Sequence, residues 1–280
     1  MSHTSIKLAM GQMRVEGGDV EGNLERAWTM IRDAADKSAQ IVVLPECLDV
    51  GWTHPSARAK ATPVPGPTSD VLCASARQAG IHVAAGLTER DGERIYNTAL
   101  LIGPDGDILL THRKINILDI AQDLYSIGDR LGVAHTDLGT IGLNICADNF
   151  ANSIHLGHAQ ARMGAQLLIS PSAWAVPADH DNARDPYGDD WKPPYAKLAR
   201  TYAMPVVGVS NVGWMTGGPW EGWKCIGCSL AVGSDGAIAA EGPYGVDAES
   251  MIIVDLEVSA RDAVGTRLAE RVHRGTSAIE

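Results

Sequence analysis

The chain alternates short β-type runs with helical patterns and twice interrupts that alternation with a hairpin, a combination that specifies a mixed sheet layered against helices. The hairpins are "RIYNTALLIGPDGDILLTHRKI", turning at Gly103-Pro-Asp-Gly106, and "GCSLAVGSDGAIAAEG", turning at Ser234-Asp-Gly236. Both place tight-turn residues between apolar runs. Before the first lie a strand from Ile6 to Gln12 and a helix over 21–38, with Leu24, Trp28, Ile31 and Ala35 at helical spacing. The apolar strand "IVVLPE", stopped by Pro45, a helix from Ser69 to Gln78 and a strand from Ile81 to Leu87 complete that half. The second half repeats the theme. It has "IGLNIC" as a strand, residues 152–163 as a helix, "AQLLISPSAW" as a strand ending in Pro171 and a helix from Tyr195 to Tyr202. The strands "PVVGVSN" and "SMIIVDLEV" follow. Ala175–Pro194 and the Gly/Trp-rich stretch before the second hairpin read as loops. A long loop inside a compact domain is usually functional. No low-complexity linker divides the chain, so residues 1–280 read as one domain, and the repeated strand-helix-hairpin order suggests a pseudo-symmetric sandwich.

Charge and cysteine usage narrow the setting. The balance of 23 basic against 34 acidic residues gives -11, which disfavours nucleic acid and anionic membranes as partners. Five scattered cysteines, at 47, 73, 146, 225 and 228, fit a reducing compartment better than a disulfide framework. No apolar run is long enough for a signal peptide or a bilayer span, so a soluble cytoplasmic protein is expected.

Ligands of α/β sheets bind at strand ends, and three reactive side chains sit there. Glu46 ends "IVVLPE", Lys114 ends the second arm of the first hairpin, and Cys146 ends "IGLNIC". A thiol attacks well as the thiolate, which a neighbouring base or cation promotes. Lys114 can depress the thiol pKa and hold a developing oxyanion, while Glu46 can take the thiol proton and pass it to a leaving group. The trio suits acyl transfer through a thioester. Taken singly, each has a plainer reading: a salt-bridged Glu, an edge-protecting Lys, a buried structural Cys.

The order of the segments "IKLAMGQ", "VVLPE", "YNTALLIGPDGDILLTHRK", "GTIGLNICADNF", "PSAW", "YAKLARTYAMPVVGVSNVG" and "GCSLAVGSDGAIAAEG" resembles the nitrilase, or carbon–nitrogen hydrolase, superfamily, from Lys7 to about Val258. The resemblance implies an α/β fold, an α-β-β-α sandwich with two mixed sheets. It implies Glu46 as general base, Lys114 as oxyanion stabiliser, Cys146 as nucleophile and the Ala147 N–H as a second oxyanion donor. It further implies a homodimer or higher homo-oligomer joined through helices, with a C-terminal tail from about residue 257 exchanging contacts with a partner subunit. Asp148 and Asn149 are expected beside the site. Many members carry a second glutamate between the Lys and Cys segments, yet residues 115–145 here contain none. Asp119, Gln122 and Asp123 are the candidates to stand in for it.

Other features weigh less. Cys225-Ile-Gly-Cys228 lacks the partners of a zinc site, and neither a metal nor a cofactor is expected. Tryptophans crowd the loops, and Trp52, Trp174 and Trp214 are expected to wall a pocket over Cys146 that prefers an apolar or ring-bearing acyl group. The expected activity is cysteine-dependent hydrolysis of a small carboxamide to acid and ammonia. An N-carbamoyl amidohydrolase is the rival. Nitrile hydrolysis is disfavoured because Ala-Asp-Asn, not Trp-Glu-Asn, follows the cysteine. The absent glutamate also leaves open a catalytically silent binding or scaffold relative.

Overall fold

The computed structural model describes residues 3–259. In chain order the first half comprises β1 (His3–Gln12), α1 (Val20–Asp36), β2 (Ile41–Val43), α2 (Ala57–Lys60), α3 (Pro67–Ala79), β3 (His82–Asp91), β4 (Arg94–Ile102) and β5 (Ile108–Arg113). The second comprises β6 (Val133–Thr136), β7 (Gly139–Leu143), α4 (His155–Arg162), β8 (Leu167–Ser172), β9 (Ala175–Val176), α5 (Lys192–Tyr202), β10 (Val206–Ser210), β11 (Val212–Trp214), β12 (Lys224–Ile226), β13 (Leu230–Val232), β14 (Ile238–Glu241) and β15 (Ser250–Ser259). The tail expected to reach a partner subunit falls almost wholly in residues 260–280, outside the described residues.

Two six-stranded mixed sheets, ordered β15-β1-β2-β3-β4-β5 and β14-β13-β10-β8-β7-β6, form the body. Each has two parallel pairings, β1–β2–β3 and β7–β8–β10, followed by antiparallel strands. The pseudo-symmetry expected from the repeated order is therefore present in the topology. Side-chain alternation along the strands explains the layering. Ile6, Leu8, Met10, Ile41 and Val43 face the second sheet's Ile141, Leu143, Leu167 and Ile169. Their neighbours Ala9, Val42, Val83 and Ala85 turn the other way, against Ala27, Ile31 and Ala34 of α1 and Leu72 and Ala76 of α3. Ala161 of α4 with Leu198 and Ala199 of α5 cover the outer face of the second sheet. The result is the α-β-β-α sandwich, in which each fully buried Leu or Ile contributes about 1.5–3 kcal/mol.

Several boundaries differ from the sequence expectations. The strand expected over Ile41–Glu46 ends at Val43, since Pro45 has no N–H for the ladder. "IGLNIC" likewise pairs only to Leu143. Pro171, in contrast, lies within β8, opposite Val209. Pairing with β7 stops at Ile169, so the missing N–H faces no partner strand there. The helix expected from Tyr195 starts at Lys192 because its prolines occupy the first turn, where a missing N–H is harmless. The two loops also carry β9, β11 and β12, which pair into a small separate sheet.

Candidate active site

Each member of the trio is set by a different part of the sandwich. Glu46 lies just past β2, and its N–H donates to Ser172 O at 3.1 Å, joining the two sheets at their strand ends. Gly86 of β3 lets this segment lie close, because a Cβ there would sit 2.6 Å from Glu46 Cα. Lys114 follows β5 directly, its N–H donating to Asn97 O at 2.8 Å. Cys146 leaves β7 through a tight turn with φ +44°, a conformation that costs a non-glycine residue about 1–3 kcal/mol and persists where the surroundings enforce it. The enforcing contacts are its own N–H to Ser170 Oγ, 2.8 Å, and the Ile145 N–H to Asp148 Oδ2, 3.1 Å.

The three side chains converge in the interior. Lys114 Nζ donates to Glu46 Oε1 at 2.6 Å, and Asn97 Nδ2 donates to the same oxygen at 2.5 Å. Glu46 Oε2, also buried, has no hydrogen-bond partner among the described residues. One oxygen is thus anchored by two donors and the other is left to exchange a proton. Burial first, and then the Glu46 carboxylate, push the Cys146 thiol up to about 12 against the opposing pull of Lys114 and the Ala173 N–H. The expected depression by Lys114 exists but is outweighed, so the resting group is a neutral thiol that needs a base. Burial also opposes charge on Lys114, yet the neighbouring Glu46, Cys146 and Asp148 hold its pKa above the usual lysine value. Lys114 therefore stays cationic. The Ala147 N–H engages no acceptor among the described residues and lies beside the thiol, a second free donor.

Asp148 and Asn149 hold this arrangement from behind. Asp148 accepts from the backbone N–H groups of Ile145, Ile115 and Asn116 and lies 2.8 Å from His112 Nε2. It therefore clamps the Lys-bearing segment to the Cys-bearing turn. Burial works against its charge, but the His112 ring, the Asn116 N–H and Lys114 prevail and keep its pKa below 3.8. Asn149 and Asn144 exchange reciprocal amide hydrogen bonds of 2.6 and 2.7 Å beneath the turn. Asp148→Asn turns an amide N–H₂ toward existing donors and should destabilise the fold by about 2–3 kcal/mol. A carboxyl whose pKa is depressed on folding stabilises above its unfolded value and loses that contribution as pH falls through the folded one. The gap between wild type and variant in urea unfolding should therefore be full at neutral pH and shrink below pH 3.8. A gap independent of pH would contradict the clamp.

Above the thiol opens a cavity of about 310 Å³. Lys114, Cys146, Ala147, Ala173 and Trp52 surround its base, with Lys114 Nζ 5.9 Å from the Trp52 ring centre. Of the expected pocket residues, Trp52 is the one brought here. Trp174 is fully buried behind the wall, stacked on Trp191 at 4.8 Å, and it is Trp191 that faces the cavity. Trp214 is 46% exposed on β11 and borders a separate shallow depression. Asp119, Gln122 and Asp123 are exposed and do not reach the cavity either. Their turn buries Ala121 and Tyr125 instead, and the segment presents Asn116 and Leu118 to the cavity. No carboxylate of residues 115–145 therefore takes the place of the absent glutamate. Sequence reasoning also missed Asn97 and Asp190 as site residues. Asn97 was detectable as the one amide inside the apolar run of β4; Asp190, in a polar loop, carried no signal. Among the described residues no cluster of three metal-ligating side chains occurs.

Known proteins with this architecture carry related names. The omega-amidase NIT2 of Danio rerio is 35% identical over 182 residues, covering 61% of this chain and 64% of that relative, so the likeness spans less than two thirds of its length. The Saccharomyces cerevisiae Nit3 structure, of the nitrilase superfamily, superposes with a TM-score of 0.77 at 25% identity, over 99% of this chain and 96% of the other. An amidase variant from Nesterenkonia sp. AN1, bearing acrylamide joined by Michael addition to its active-site cysteine, superposes with a TM-score of 0.77 at 21% identity, over 96% and 98%. The carbon-nitrogen hydrolase family profile spans residues 7–264, taking in both sheets and all three reactive side chains, and the chain belongs to that family.

Proposed function

We propose that the protein hydrolyses a small carboxamide to acid and ammonia through a thioester on Cys146. The carrying observation is the buried Glu46–Lys114 pair of 2.6 Å beside a neutral thiol at the base of a cavity of about 310 Å³. Cys146 Sγ attacks the carbonyl carbon while its proton passes to Glu46 Oε2. Lys114 Nζ and the Ala147 N–H hold the oxyanion. Collapse breaks the C–N bond, and Glu46 returns the proton to the departing ammonia. Glu46 then takes a proton from water as the water attacks the thioester, and a second collapse releases the acid and restores the thiol. The roles given to Glu46, Lys114 and Cys146 are supported by this complementarity: one group that stays cationic, one free carboxylate oxygen and one protonated nucleophile. The NIT2 and amidase names of similar proteins support the amide over the nitrile.

We read the chain as one carbon-nitrogen hydrolase domain, since a single core runs between both sheets. Five free cysteines support a reducing, cytoplasmic setting, and among the described residues no helix is long and apolar enough to cross a membrane. The family membership supports a homo-oligomer joined through helices, which sedimentation of the full chain checks.

The test is ammonia release from matched amides, N-carbamoyl amino acids and nitriles, with rapid acid quench and peptide mapping. Amides should turn over and leave an acyl mass on the Cys146 peptide. Turnover confined to N-carbamoyl compounds or nitriles would redirect the substrate assignment. The absence of both turnover and adduct would favour a silent binding protein.

A further inference from the structure

Five aromatic residues line the cavity beside its polar and aliphatic groups. Trp52 and Trp220 meet with ring centres 5.0 Å apart at 59°, Phe150 and Trp191 with centres 5.4 Å apart at 67°, and Tyr187 joins them. Trp220 is held in place by stacking on Trp223 at 4.2 Å, and Trp191 by stacking on Trp174. These are braced rings around one space. Asp190 borders the same cavity, is exposed, and has no ion-pair partner among the described residues, whereas the neighbouring Asp189 is engaged by Lys192 at 3.5 Å. Lys114 is the one cationic side chain among the described residues lining the cavity, and its charge is already matched by Glu46.

Aromatic rings with one unpaired carboxylate among them attract a cation, since the negative ring faces and the carboxylate act with the same sign. It repels a carboxylate, for which no free cationic side chain is present. Resting on the amide-hydrolase reading above, we infer that the substrate is a small amide bearing an ammonium group at the end remote from the scissile bond, with Asp190 and the aromatic wall selecting that charge. The cavity holds about ten water-sized volumes, which suits a short aminoalkyl chain. Asp190 acts as a specificity-determining residue, remote from the reacting atoms at the base.

Three amides of one length test this in the full-length protein: hexanamide, 6-aminohexanamide and the monoamide of hexanedioic acid. The ammonium compound should show kcat/KM at least about ten-fold above the neutral one, and the carboxylate compound should fall below it. In Asp190→Asn the ratio of cationic to neutral should drop to near one, chiefly through KM, and Asp190→Glu should restore it. A preference for the neutral or anionic amide, an unchanged ratio in Asp190→Asn, or an equal fall on all three amides would overturn the inference. Tryptophan-fluorescence titration of Cys146→Ala with hexylammonium and with hexanoate separates this from the chemistry. Binding of the ammonium alone, weakened by adding Asp190→Asn, upholds the cation site even where no amide turns over. Binding of hexanoate, or of neither ion, overturns the cation site and leaves the hydrolase reading to its own test.

Discussion

Glu46→Gln is expected to lower amide kcat/KM by about 10³-fold or more while making Cys146 easier to alkylate. The two effects have one cause. After burial, the Glu46 carboxylate is the largest influence raising the thiol pKa to about 12, and Lys114 is the largest opposing it. Glutamine keeps an acceptor for Lys114 and Asn97 but neither takes a proton nor repels a thiolate. The variant therefore forms thiolate at lower pH and yet cannot protonate departing ammonia or activate water. The rate of iodoacetamide alkylation against pH reads the thiol titration directly, and its rise should move to lower pH in the variant. An unmoved or upward-moved curve would show that Glu46 is not electrically coupled to the nucleophile. Removing one charge of a buried pair also destabilises, by up to about 3–5 kcal/mol when no acceptor remains. The retained amide oxygen should keep the loss smaller, which thermal unfolding measures.

Cys146→Ala is expected to abolish ammonia release, a loss of about 10⁶-fold where the residues act as a unit, with the fold intact. Alanine meets the same backbone demand at φ +44°, and the contacts enforcing the turn come from the Cys146 and Ile145 backbone N–H groups rather than the thiol. Unfolding in urea should therefore change by no more than about 1–2 kcal/mol. The resting thiol is uncharged, so its loss leaves the Glu46 and Asp148 charges that hold Lys114 cationic, and the Lys114–Glu46 pair should remain. Ammonia release that survives the substitution would sink the nucleophile assignment, and it would do so independently of the Glu46 result.

Reading along the chain nominated the trio because each member follows an apolar strand, and the order of the surrounding segments, which resembles the carbon–nitrogen hydrolase family, gave each its expected role. Trp174 and Trp214 were misplaced by the same kind of reading. A tryptophan's position in a loop does not say which side of the wall its ring takes, and stacking on Trp191 draws Trp174 inside. The failure of Asp119, Gln122 and Asp123 to reach the cavity has a parallel cause. One turn can bury either its polar or its apolar side, and the apolar Ala121 and Tyr125 take the interior because burying unpaired carboxylates would cost more.

The sequence by itself determined most of the order of the longer strands and helices, the two hairpins and the nomination of Glu46, Lys114 and Cys146, since local periodicity, turn chemistry and segment order are properties of neighbouring residues. Tertiary structure alone decided how these act together. Pairing within the first sheet brings Asn97 and Lys114 onto one oxygen of Glu46 and leaves the other free, and only the meeting of the two sheets sets Cys146 of the second sheet beside them. Burial in that meeting raises the Cys146 thiol far above its ordinary value, so that the carboxylate beside it becomes a necessity rather than an accessory. Electrostatics and desolvation depend on distance in space, and residues 46, 97, 114 and 146 are made neighbours by the fold, not by the chain.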